Sequence, residues 1–226
     1  MIFKFGELFS GPGGLSLGAL NSKVLNKRGE VFKLEHAWAS DCDADSCKTY
    51  VQNIEGAHNN SVYISDVKDL DIKSLENIDS FAYGFPCNDF SIVGEQKGMN
   101  GNFGGLYTFG LTVLNEFQPK FFVAENVGGL SSSNSGMAFK KILNDLYKCS
   151  NFGYNLTVHK YKSEEYGVPQ TRHRIIIVGI RNDLHLTFKV PAPTTPKPSD
   201  YKTAREALEV PPITEGFPNH IFTKQS

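Results

Sequence analysis

The chain has 226 residues, of which 40% are hydrophobic, and its 23 basic and 24 acidic side chains leave a net charge of −1 at pH 7. This length suits one main domain, and the charge balance argues against a large basic face that binds nucleic acid unaided. No apolar run approaches a membrane span and no secretory signal is visible at the first residues, so we expect an intracellular protein without membrane contact.

Short apolar runs alternate with longer segments of helical spacing along most of the chain. Runs rich in Val, Ile, Phe and Tyr predict strands at 3–9, 35–40, 80–85, 120–127, 156–162 and 174–180. Apolar residues on one face predict helices at 14–27, 43–54, 105–117 and 136–149. This alternation is typical of an α/β fold with a mostly parallel sheet and helices on both faces.

The first predicted strand leads through a glycine-dense turn, "LFSGPGGLSLGAL" at 8–20, into the first predicted helix. Glycines let the backbone approach a ligand closely, and the free N–H groups at a helix start suit a nucleotide-like cofactor. The turn has no GK[ST] sequence and no basic residue, which excludes a triphosphate-binding loop and favours an adenosine ligand without phosphate. A tight turn that binds no ligand is the alternative.

Two acidic residues follow the next strands. Asp41 ends the second predicted strand, where a carboxylate can accept hydrogen bonds from ribose hydroxyls. Asp66, in "YISDVKDL" after a short candidate strand, is suited to a purine amino group. Each acid alone is more often a solvated loop residue, but together with the turn they predict a cofactor site.

A cysteine follows a proline in "GFPCNDFS" at 84–91, and the preceding strand delivers Pro86 and Cys87 to the edge that holds the turn. A nucleophilic cysteine needs exposure and a fixed direction of approach, which Pro86 supplies. Cys42 and Cys47 lack metal-site spacing, so we interpret them as ordinary thiols. A thiol-redox enzyme would need a resolving cysteine near Cys87.

Polar residues also lie at the end or the start of the later predicted strands. "FFVAENVGGL" brings Glu125 and Asn126 to a strand end, where a carboxylic acid can donate a hydrogen bond to a ring nitrogen. "VPQTRHRIIIVG" opens a later strand with Arg172 and Arg174 alternating onto one face. Singly, such arginines are usually solvated, and we expect His173, which points the other way, to be structural.

The composition changes after the last predicted strand. "KVPAPTTPKPSD" at 189–200 is typical of a linker or extended loop, and 201–210 is predicted to hold one short helix. Residues 211–226 show no strong periodicity and are too few for a second core.

The motifs "FSGPGG", "GFPCNDFS", "ENV" and "QTRHR", in this order and spacing, resemble the C5-cytosine-specific DNA methyltransferase family over about residues 3 to 182. The resemblance implies a Rossmann-like methyltransferase fold, with a cofactor-binding and catalytic domain at 1–188. Residues 189–226 would then be a Pro-rich linker and the start of an incomplete target-recognition region. The implied reaction methylates C5 of a flipped-out cytosine in DNA, in a restriction–modification context.

The resemblance implies S-adenosyl-L-methionine as cofactor, S-adenosyl-L-homocysteine as product and no metal. Phe9 would stack on the adenine, Asp41 would bind the ribose and Asp66 the adenine amino group. Pro86 would shape the methyl-donor pocket and Leu106 would lie against the cofactor. The full implied set of cofactor residues is Phe9, Gly11, Gly13, Gly14, Asp41, Cys42, Asp66, Val67, Pro86 and Leu106.

Five residues take catalytic roles by resemblance. Cys87 would form a transient bond to C6 of cytosine, and Glu125 would contact N3 and the amino group of that base. Asn126 would hold the Pro-Cys loop. Arg174 would bind the cytosine O2, and Arg172 would support the loop or a phosphate.

Three departures from the family pattern qualify these expectations. Asn88 stands where the family usually has Gln, so base flipping is expected to change more than bond formation. Phe103 stands where an Arg is usual, which removes a phosphate contact. The family also continues well beyond the length of this chain.

We therefore expect double-stranded DNA and a second polypeptide, which carries target recognition and the missing C-terminal motifs, as partners. The location would be cytoplasmic in a bacterium or nuclear in a eukaryote. An RNA cytosine methyltransferase and a non-catalytic fragment that binds S-adenosylmethionine or docks a partner are the alternatives. The sequence also allows a natural subunit, an excised part or a degenerate fragment.

Overall fold

The computed structural model describes residues 1–86, 105–131 and 136–209. Its strands are β1 (Ile2–Leu8), β2 (Lys23–Leu25), β3 (Val31–Asp41), β4 (Val62–Ile64), β5 (Ser80–Gly84), β6 (Phe121–Val127), β7 (Tyr154–Lys162) and β8 (His173–Arg181). Its α-helices are α1 (Gly14–Leu20), α2 (Ala44–Asn53), α3 (Tyr107–Phe117), α4 (Met137–Lys148) and α5 (Ala204–Glu209). None of the helices in these ranges is long and apolar enough to cross a bilayer.

The strands form one sheet in the order β2-β3-β1-β5-β6-β8-β7, and β4 also pairs with β3. β1 runs parallel to β3 and β5, and β5 runs parallel to β6. In this register Leu8 pairs with Ser40 on one side and Tyr83 on the other, and Gly84 pairs with Glu125. The carboxyl ends of four strands therefore meet at one edge of the sheet.

Aromatic side chains fill the centre of the core, and the largest of those at most 1% exposed are Trp38, Tyr50, Tyr83, Tyr107, Tyr154, Phe81 and Phe122. The rings of Phe81 and Tyr83 stack with centroids 5.1 Å apart, and Phe122 meets Tyr154 edge-on at 5.0 Å. α3 lies close to this sheet face, since a Cβ atom on Gly110 would come within 2.4 Å of the Tyr83 ring. This packing holds the strand ends in a fixed register.

The first helix is shorter than its spacing predicts. A helix over 14–27 was expected, but α1 ends at Leu20 and β2 pairs antiparallel with the start of β3. The hairpin turn explains the difference, because the side-chain oxygen of Asn26 accepts hydrogen bonds from the N–H groups of Arg28 (2.8 Å) and Glu30 (3.0 Å). The apolar residues of this segment belong to the first strand of a β-hairpin.

The α/β class with a mostly parallel sheet is confirmed. The described residues divide into two compact units, the first formed by those within Met1–His159 and Ile175–Val190 and the second by Lys160–Arg174 with residues 191–209. The second unit includes Lys160–Arg174, which the sequence assigned to the first part, and the division at residue 188 with its two roles stays a prediction.

Candidate active site

A cleft of about 330 Å³ lies at the carboxyl edge of the first unit's sheet. It lies where the crevice beyond the strand ends of an open parallel sheet normally binds ligands. Seven of the ten residues expected at the cofactor line it, namely Phe9, Asp41, Cys42, Asp66, Val67, Pro86 and Leu106. The structure thus brings together residues that are up to 97 positions apart in the chain, from Phe9 to Leu106.

The turn after β1 is tied to the end of β3. The N–H of Ser10 donates to the carbonyl of Ser40 at 3.1 Å, which extends the pairing of the two strands by one residue. The N–H of Gly11 then donates to Oδ2 of Asp41 at 2.7 Å. Phe9 adopts a left-handed backbone (φ 55°), a conformation uncommon outside glycine, and its ring lines the cleft.

The glycines of the turn do not line the cleft themselves. Gly13 has φ 97°, and a Cβ atom there would lie 2.9 Å from the side chains of Tyr50 and Ile54 on α2. Gly13 is therefore required by the packing of the turn on α2 as well as by its backbone conformation. Positions Gly11 and Gly14 have open space around them.

The two acids that line the cleft each accept a hydrogen bond from the backbone of their own loop. Asp41 is half-buried, and its Oδ1 accepts from the N–H of Asp43 at 3.0 Å. Asp66 is exposed, and its Oδ1 accepts from the N–H of Lys68 at 3.0 Å. Carboxylate oxygens accept more than one hydrogen bond each, so both groups keep acceptor capacity for ligand hydroxyl or amino groups.

Asn126 fixes the chain as it leaves β5. Its side chain is 2% exposed, and its amide nitrogen donates to the carbonyl of Phe85 at 3.0 Å. Its amide oxygen accepts from the N–H of Val127 at 2.8 Å. Because regular strand pairing of β5 ends at Gly84, this bond holds the segment that continues into Pro86.

Glu125 lies over the end of the neighbouring strand. Its Oε2 would be 3.3 Å from a Cβ atom on Gly84, so the glycine leaves room for the carboxylate. Gly84 and Pro86 both line the cleft, which places Glu125 beside the same strand end. The arrangement puts an acid beside the strand end that leads into Pro86.

The remaining expected catalytic residues are not assembled by the described geometry. Cys87, and the departures at Asn88 and Phe103, lie outside the described residues. Arg172 and Arg174 belong to the second unit, where the Arg174 guanidinium donates to the carbonyl of His173 at 2.8 Å.

His173 hydrogen-bonds Glu164 within the same unit, Nε2 to Oε1 at 2.8 Å. This contact agrees with the structural role expected for His173. No cluster of three or more His, Cys, Asp or Glu side chains suitable for a metal ion occurs among the residues that the structure describes.

Sequence reasoning missed part of the cleft wall, namely Leu8, Ser40, Ser65, Lys68 and Gly84. Each is within two positions of a predicted residue, so proximity in the chain was an available signal. It also missed the buried carboxyl of Glu7, whose signal was an acid inside an apolar strand.

Sequence comparison relates this chain to a known family and to two bacterial proteins. The profile of the family described as C-5 cytosine-specific DNA methylase matches residues 3–222. The Type II methyltransferase M.BbvI of Brevibacillus brevis is 55% identical over 99% of this chain and 60% of its own length. M.NgoFVII of Neisseria gonorrhoeae is 34% identical over 89% of this chain and 51% of its own length. The chain thus spans little more than half the length of these relatives.

Solved structures give the same fold. A DNA modification methyltransferase encoded within an E. coli prophage superposes with a TM-score of 0.65 at 26% identity, over 96% of this chain and 56% of that one. The Entamoeba histolytica methyltransferase EhMeth superposes with a TM-score of 0.62 at 21% identity, over 87% of this chain and 57% of its own, which bears on the fold alone.

Proposed function

Because the chain belongs to the C-5 cytosine-specific DNA methylase family, we propose that it carries the cofactor site and catalytic residues of a DNA (cytosine-5-)-methyltransferase. The observation that carries the proposal is the single cleft in which Phe9, Asp41, Asp66 and Pro86 meet. An adenosine ligand needs an aromatic surface and acceptors for its ribose and amino groups, and this wall supplies both.

The cleft fits S-adenosyl-L-methionine in the chemistry of its lining. Phe9 would offer its ring to the adenine, Asp41 would accept from the ribose and Asp66 from the adenine amino group. Val67 and Leu106, which are 7% and 8% exposed, supply apolar contact. When bound, the cofactor supplies the methyl group.

The residues beside Pro86 would act on the cytosine. A thiolate at Cys87 would add to C6, and Glu125 would hold the N3 and amino edge of the base so that the ring accepts the electrons of that addition. Asn126 would keep the Pro86 segment in place through its bond to Phe85. Arg174 would hold O2, with Arg172 supporting the loop or a phosphate.

The relatives support a role in restriction and modification, because those compared are Type II methyltransferases of bacteria. A bacterial origin favours the cytoplasmic over the nuclear location. The net charge of −1 is unusual for a chain that must hold DNA alone. We therefore propose that a second polypeptide supplies target recognition and part of the DNA contact.

Cofactor binding is tested by calorimetry with S-adenosyl-L-homocysteine on the purified chain. We expect saturable heat from the unchanged chain and weaker binding by Asp41→Asn, because the amide is a poorer acceptor for ribose hydroxyls. Glu116→Gln, an exposed change on α3, is the matched control. No heat and no thermal shift at millimolar ligand would remove the cofactor proposal.

The covalent step is tested with duplex DNA that carries 5-fluorocytosine, after addition of the cofactor and the complementary polypeptide. We expect a protein–DNA adduct that Cys87→Ala abolishes and Cys149→Ala, a buried thiol away from the cleft, preserves. An adduct that survives Cys87→Ala would contradict the assignment. Parallel reactions with RNA decide between the two substrates, and the absence of any adduct would favour the non-catalytic alternative.

A further inference from the structure

A carboxyl group lies buried beneath the glycine-dense turn. Glu7, on β1, is 1% exposed, and one of its carboxyl oxygens accepts a hydrogen bond from the hydroxyl of Ser16 on α1. Ser16 is itself fully buried. The bond joins the last strand residues before the turn to the first helical turn after it.

The hydrogen bonds continue across two more elements. The Ser16 hydroxyl lies 2.5 Å from the hydroxyl of Tyr50 on α2, which lies 3.3 Å from Nδ1 of His36 on β3. A hydroxyl can both donate and accept a hydrogen bond, so the Ser16 and Tyr50 hydroxyls link Glu7 to His36. Side chains from β1, α1, α2 and β3 thus form one connected hydrogen-bond network.

This hydrogen-bond network flanks the glycine-dense turn on both sides in sequence. Glu7 is two positions before Phe9, and Ser16 is three positions after Gly13. Tyr50 supports the turn from below, because a Cβ atom on Gly13 would lie 2.9 Å from its ring. In the same turn, the N–H of Gly11 donates a hydrogen bond to Oδ2 of Asp41 at 2.7 Å.

We propose that Glu7, Ser16 and Tyr50 are positioning residues that fix the position and orientation of the glycine-dense turn at the cleft. The proposal rests on the cofactor function proposed for that cleft. None of the three lines the cleft, so they act through Phe9 and the Gly11–Asp41 bond. Burying a carboxyl is costly, and directional hydrogen bonds fix the distance between β1 and α1 in a way that apolar contact alone does not.

The test compares dissociation constants of S-adenosyl-L-homocysteine by calorimetry at pH 7. Loss of one fixed hydrogen bond should weaken binding about fivefold in Ser16→Ala and in Tyr50→Phe. Glu7→Gln keeps an acceptor oxygen in place and should bind within about twofold of the unchanged chain, since the Ser16 bond is retained. Glu7→Ala should be at least as weak as Ser16→Ala.

Tyr154→Phe is the matched control. It also removes one buried hydroxyl, whose hydrogen bond to the carbonyl of Pro119 (2.8 Å) lies at the start of β6, away from the cleft. It should lower stability as Tyr50→Phe does and leave ligand affinity unchanged. Equal affinity losses in the two tyrosine variants, or wild-type affinity in Ser16→Ala, would overturn the positioning role.

The amide resonance of Gly11 provides a second readout that needs no ligand. We expect Ser16→Ala and Tyr50→Phe to shift it and Tyr154→Phe to leave it in place, because it reports the bond to Asp41. An unmoved resonance in Ser16→Ala overturns the proposal even where the unchanged chain binds ligand. A shifted resonance in a chain that binds no ligand supports the positioning role and removes only the cofactor function.

Discussion

The substitution Glu7→Gln should make the stability of the folded chain less dependent on pH. Burial raises the pKa of the Glu7 carboxyl from 4.5 to about 8, and the nearby charge of Asp41 adds to the effect while the Ser16 and Tyr50 hydroxyls oppose part of it. His36 contacts the same network through Tyr50. At neutral pH the folded chain therefore holds Glu7 protonated, whereas the unfolded chain releases that proton.

The sign follows from this difference in bound protons. Below pH 4.5 both states hold the proton and Glu7 contributes no pH dependence. Between 4.5 and about 8 the unfolded state binds fewer protons, so the free energy of unfolding falls as pH rises, and above about 8 it levels off. At ~1.4 kcal/mol per pH unit, the wild-type chain should lose about 2 to 3 kcal/mol relative to Glu7→Gln between pH 5 and pH 7.

Urea unfolding of both chains at pH 5, 6, 7 and 8 measures this difference. The compared quantity is the change in the free energy of unfolding with pH, so any pH-independent effect of the new amide cancels. The contribution of His36, whose pKa burial lowers to about 4, is present in both chains and cancels as well. Glu116→Gln, which removes an exposed acid on α3, should follow the wild type. Parallel curves for wild type and Glu7→Gln would refute the buried, protonated state of Glu7.

Three further outcomes are expected. Gly13→Ala should lower the free energy of unfolding by about 1 to 3 kcal/mol in urea unfolding, because the new methyl group meets Tyr50 at φ 97°; an unchanged midpoint would contradict this packing. Asp41→Ala should weaken S-adenosyl-L-homocysteine binding about tenfold or more by calorimetry, since both the turn and the expected ribose lose an acceptor. Asn126→Ala should slow adduct formation on 5-fluorocytosine DNA while ligand affinity changes little, because it frees the Phe85 carbonyl; equal losses in both would argue for general unfolding.

The sequence predicted the cleft wall well because its clues are local. Asp41 and Asp66 each follow a strand, and parallel strands bring their carboxyl ends to one edge, so the order of motifs was enough to place them near Phe9. β2 could not be predicted in the same way. Its apolar residues fit a helical spacing, and only pairing with β3 stabilises them as a strand.

The network around Glu7 was unpredictable for a related reason. Its members come from four elements, and neither Ser16 nor Tyr50 has a local pattern that distinguishes it from other residues of an amphipathic helix. The glycines show the same limit. Gly13 was expected to belong to the cofactor turn, and the space around its Cα is bounded by Tyr50 and Ile54 of α2, which the spacing of the turn does not encode.

The end of β6 explains why an acid and an amide stand side by side there. Successive residues of a strand point to opposite faces, so Glu125 and Asn126 cannot serve the same side of the sheet. The amide turns into the core and holds Phe85, while the carboxylate lies over Gly84 at the cleft. One strand end thus holds Phe85 through an amide and also presents an acid over Gly84. Exchanging the two residues would bury the charge without a matching donor and leave Phe85 unheld, so their order matters as much as their identity.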